Sequence, residues 1–91
     1  MATTEMIKGR GNSNIPDYMY RSVELLQYYA RIVETFRRDG NKRELVIVAE
    51  MFNGLMEFVL HAAYDNGVLD EVEGLLRKSA KTVFGQAYEF E

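Results

Sequence analysis

Cysteine is absent from this 91-residue chain, and that absence closes several routes at once. Without thiols there is no disulfide, no thiolate zinc site and no cysteine nucleophile. Secreted domains of this size lean on disulfides, so a reducing interior is expected. Histidine occurs once, as His61, which excludes a zinc site built from several imidazoles of one chain. The opening MATTEMIKGRG has no apolar h-region. No uninterrupted apolar stretch approaches the roughly 20 residues of a membrane span. The expected location is the cytoplasm.

Positive charge in excess is missing too. The net charge is −3, from 14 acids and 11 bases, which argues against a dedicated nucleic-acid binder. No glycine-rich phosphate loop follows a strand, and the GRG at 9–11 is not a nucleotide-binding fingerprint. Ser13, Ser22 and Ser79 have no nucleophile signature around them. Neither enzymatic activity nor a cofactor is expected.

What the chain does contain is helical pattern. Its 47% apolar and 27% charged residues are ordinary for a globular domain. A chain this short buries only about 60–65% of its unfolded surface, so the core will be modest. Residues 1–15, with GRGNSN at 9–14, lack periodicity and read as a flexible arm. Pro16, the single proline, and Asp17 mark a helix start. From there Tyr18, Leu25, Tyr29, Ile32 and Phe36 make one apolar seam. Met19, Val23, Leu26, Ala30 and Val33 make its neighbour. Arg21, Glu24, Gln27, Arg31, Glu34 and Arg38 take the polar side, together with Tyr20 and Tyr28. Gly40 supplies the left-handed residue that ends this helix near Asp39.

A second helix is expected over 41–66, with Asn41 as cap, Glu44 completing a capping box and Gly67 as terminator. Because Val and Ile favour sheet, residues 44–52 (ELVIVAEMF) are the one place where a strand competes. A third helix, Leu69–Phe84, opens with Asp70, Glu71 and Glu73 and closes with Arg77, Lys78 and Lys81, the order that the helix dipole favours. Gly85 is expected to end it. The tail 86–91 (QAYEFE) is expected to fray, or to dock Tyr88 and Phe90 onto a groove. The fold class is therefore all-α: a hairpin of two long antiparallel helices plus a shorter third, with the domain at 16–85.

Two features go beyond fold. The first is that the second helix is apolar around most of its circumference. Glu50, Asn53, Gly54, Glu57 and His61 form only a narrow polar stripe. Soluble monomers rarely leave large apolar faces unused. Unless the other helices and the tail cover it, this helix offers an interface, expected at Met51, Phe52, Leu55, Met56, Phe58 and Val59. Methionine and phenylalanine make such a surface adaptable. Gly54 in mid-helix costs about 1 kcal/mol against Ala. It is consistent with a close approach by another backbone, a tight crossing within the monomer, or a local break.

The second feature is the stretch RRDGNKRE at 37–44. Arg37 and Arg38 end one helix, as the dipole favours, but Lys42 and Arg43 begin the next, where cations are disfavoured. A helix start with flanking cations attracts anions. Arg37, Arg38, Lys42 and Arg43 are thus candidates to hold a nucleotide or nucleic-acid phosphate. The plainer alternative is four solvated charges near Asp39 and Glu44. Glu50, Glu57 and His61 share a stripe that would bind metal only across an oligomer axis, and Glu57–His61 is more simply a solvated i, i+4 pair. A helix-turn-helix reading meets the acids at the start of the third helix, which would repel phosphates. The expectation is a small non-enzymatic regulator, adaptor or inhibitor that binds another protein and forms a homo-oligomer, a dimer first of all. The alternative is an anion-binding module at the basic turn.

Overall fold

The computed structural model describes residues 14–88. Three α-helices account for most of them: α1, Asp17–Arg38; α2, Lys42–Asp65; and α3, Leu69–Tyr88. No strand occurs among the described residues. The segment 44–52 is helical, because its apolar residues continue at helical spacing and the competing sheet preference finds no partner strand. Each helix contacts both others, as in a three-helix bundle.

Two turns of the same construction join the helices. After α1, Asn41 N–H donates to the Phe36 carbonyl (2.8 Å) and Gly40 N–H to that of Arg37 (3.1 Å). After α2, Val68 N–H donates to Ala63 (2.9 Å) and Gly67 N–H to Tyr64 (3.1 Å). These are Schellman motifs, and they need a left-handed residue at the first position beyond the cap. Gly40 (φ 74°) and Gly67 (φ 73°) supply it. The Asn66 side-chain amide also donates to the Ala62 carbonyl at 2.8 Å, satisfying one of the last carbonyls of α2.

Three boundary expectations need correction. Asn41 stands at the N-cap of α2, but its side chain makes no capping bond. It already closes the turn behind it, and its backbone (φ −91°, ψ 75°) departs from the extended geometry that a capping side chain needs. Gly85 does not end α3, which continues to Tyr88. Nothing there requires a left-handed residue, and Gln and Ala follow. Ile15, expected in the arm, is buried in the core. Residues 1–13 of the expected arm, 89–91 of the tail and the side chains of 86–88 lie outside the described residues.

The core is built from one seam of each helix. α1 contributes Met19, Val23, Leu26, Ala30 and Val33, the second of its two apolar seams. α2 contributes Leu45, Ala49, Phe52, Val59 and Ala63. Val68, Val72, Leu76 and Val83 come from the third side. No polar or charged residue is buried among the described residues. Tyr20, expected on the polar side of α1, is half-buried and packs against this core.

Candidate interaction face

Where α3 sits decides what the other two helices expose. On α1 it lies along Gln27, whose side-chain amide donates to the Leu75 carbonyl at 3.3 Å. A shallow groove there is lined by Gln27, Ala30 and Arg31 of α1 and by Leu75, Lys78, Ser79 and Thr82 of α3. On α2 it lies along Met56 and Leu60, which line a second groove with Glu73, Leu76, Arg77 and Ala80. The opposite side of the α1–α2 hairpin is left without a covering helix among the described residues.

That uncovered side is apolar. At roughly 100° per residue, Met51 and Phe58 project almost diametrically opposite Met56 and Leu60 on α2. They are 48% and 66% exposed, and neighbouring Ile47 is 46% exposed. On α1, Tyr18 and Leu25 are exposed and Tyr29, Ile32 and Phe36 half-buried, on the side away from Gln27 and Arg31. Val48, Leu55 and Ala62 lie half-buried along the seam where the two helices meet. The result is a two-helix face about 33 Å long. With aromatic side chains carrying about 150–250 Å² each, its exposed apolar area is on the order of 500 Å². That is near the upper end of what a monomer leaves uncovered.

The six residues expected at an interface therefore divide. Met51 and Phe58 point outward, and Leu55 lies at the edge of the face. Met56 is half-buried and turned toward α3. Phe52 (0% exposed) and Val59 (1%) belong to the core, so no partner can reach them without unfolding the domain. Expecting them at a surface was wrong by a rotation of about 100°, one residue along α2. The α1 contribution was missed, although its seam of Tyr18, Leu25, Tyr29, Ile32 and Phe36 is present in the sequence.

Gly54 is exposed on the same side of α2. A Cβ added there would meet nothing within 4 Å, and the helix runs unbroken through it. Neither a tight crossing inside the monomer nor a break explains this glycine.

The basic residues stand together at one tip of the bundle. Arg38, Lys42 and Arg43 are exposed and Arg37 is half-buried. Arg37 and Lys42 each already make an interaction within the chain. Along the polar stripe Glu50, Glu57 and His61 are all exposed, and no group of three or more possible ligands is close enough to hold a metal among the described residues. Tyr28, also exposed, carries the Arg31 guanidinium 5.9 Å from its ring centroid, a cation–π contact on the polar side of α1.

Composition hides one property of α2. By length and composition the helix is apolar enough to cross a membrane, with 22% of its most apolar stretch buried. Counting uninterrupted apolar residues overlooked this, because Glu50 and Glu57 break the run without lowering its average much. A mostly buried core helix passes the same test; here five residues of α2 lie in the core while most of its apolar window is not buried.

No family model, curated protein or solved structure matches the chain.

Proposed function

We propose that this protein is a small, non-enzymatic interaction module, a regulator, adaptor or inhibitor, that self-associates through the α1–α2 face opposite α3 and works in the cytoplasm on another protein. The observation that carries this reading is the outward row Ile47, Met51 and Phe58 on α2. Leaving such side chains in water forfeits roughly 1–2 kcal/mol each at these exposures. A partner surface recovers that energy, and no described element of the chain does.

Sedimentation of the full chain from micromolar to submillimolar concentration is the test. Mass should rise toward a dimer, and Met51→Glu with Phe58→Glu should return it to monomer with the helical signal intact. A wild-type chain that stays monomeric across that range sinks the self-association reading. Capture of phosphate at the basic turn is the second reading, and it rests on the proximity of Arg37, Arg38, Lys42 and Arg43 at one tip of the bundle.

A further inference from the structure

The outermost charges of α2, Lys42 and Arg43 at its start and Asp65 at its end, run against its own dipole. α1 starts with Asp17 and ends with Arg37 and Arg38, and α3 starts with Asp70 and Glu71, as the dipole favours. α2 carries Lys42 and Arg43 ahead of Glu44 in its first turn and ends on Asp65 with no cation in its last turn. Both Arg43 and Asp65 are exposed. Their positions relative to Gly54 are symmetric, eleven residues before it and eleven after it. Twenty-two residues is just over six helical turns, so Arg43, Gly54 and Asp65 fall within roughly 40° of one another, with Ile47 and Phe58 on the same arc. Glu50 and His61 border the same arc, so along α2 it carries Arg43 at one end, Asp65 at the other, and Ile47 and Phe58 beside Gly54 between them.

Resting on the self-association proposed above, we infer that the occupant of this face is a second copy, with the two α2 helices crossing antiparallel at Gly54 and Arg43 of each paired with Asp65 of the other. A two-fold axis through Gly54 brings these charges together twice, because residues equally far from the axis on opposite sides meet. A parallel pairing would set Arg43 on Arg43 and Asp65 on Asp65. The antiparallel arrangement also opposes the two helix dipoles, so each misplaced charge meets a charge of opposite sign and a helix end that suits it. Open space at Gly54 lets the backbones approach, and a crossing near 20° keeps the ends within reach of an arginine. The apolar area of the face, on the order of 500 Å² per copy, is more than half of one side of a standard stable interface. An anionic lipid surface fits less well, because Glu44, Glu50, Glu57 and Asp65 rim the same face.

A charge swap on the full chain, followed by sedimentation at low salt, tests this. Arg43→Glu alone and Asp65→Arg alone should each weaken association about tenfold, since each turns two attractive pairs into repulsive ones. The double variant should return to within about twofold of wild type. Gly54→Leu should also dissociate the dimer. Circular dichroism confirms folding, and both charge changes suit the α2 dipole. Association that Met51→Glu disrupts but the double swap fails to restore would overturn the antiparallel crossing and leave the interface reading standing. A wild-type monomer at all concentrations would overturn both.

Discussion

The ring of Phe84 meets that of Phe52 edge-on, with centroids 5.9 Å apart and planes at 86°. This contact ties the later half of α3 to the middle of α2 across the core. Edge-to-face pairs add about 0.5–1.5 kcal/mol beyond burial. Phe52→Ala should therefore cost about 3–5 kcal/mol, from the cavity and the lost ring contact together. Against a total stability of about 5–15 kcal/mol, that leaves a marginal domain, measurable by urea titration. Phe84→Leu should cost much less, since Phe84 is half-buried at the rim. Equal costs at the two positions would contradict this packing.

The glycines should separate by sign. Gly40 and Gly67 hold left-handed backbone, so alanine at either should cost about 1–2 kcal/mol. Gly54 and Gly74 sit in helix with nothing within 4 Å of an added Cβ. Alanine there should stabilise the dilute monomer by about 0.5–1 kcal/mol each. Thermal melts of the four variants decide this, and a destabilised Gly74→Ala would mean that contacts on α3 are more crowded than described.

Gln27 is half-buried and bridges α1 to α3 through the Leu75 carbonyl. Gln27→Ala should cost about 0.5–1.5 kcal/mol, the ordinary net worth of a hydrogen bond. Hydrogen exchange should speed up first along α3 around Leu75. Uniform acceleration through all three helices would show that the bond does not set the local docking of α3.

Arg43→Glu should act in opposite directions on folding and on assembly. In dilute monomer it places an acid in the first turn of α2 and should add about 0.3–1 kcal/mol. At high concentration it should weaken association. Added inorganic phosphate at low salt should leave the wild-type melting temperature unchanged. A rise that disappears with salt would revive phosphate capture at the turn.

The helices and turns were legible because their signals are local. Gly40 and Gly67 each announce a left-handed stop, and the apolar spacing of α1 admits no other element. The limits appear where one residue serves two purposes or one helix offers too many apolar positions. Asn41 looks like a cap and also closes a turn, and the turn prevails. On α2, apolar side chains cover so much of the wheel that its pattern alone does not distinguish Phe52 from Met51 as the buried one. Only the position of α3, which lies along Gln27, Met56 and Leu60, settles which arc faces inward. The same information is needed to see that the Tyr18–Phe36 seam of α1 continues the exposed arc of α2.

The two glycine turns have a kinetic consequence. Each reverses the chain within three residues, so α1 meets α2, and α2 meets α3, with almost no loop to close. Little chain entropy is lost before the first tertiary contacts form. The docking of α1 against α3 is the one helix pairing not joined by such a turn. Folding in microseconds to milliseconds is the expected regime for such a topology. The uncovered α1–α2 face would then be complete as soon as the first hairpin closes.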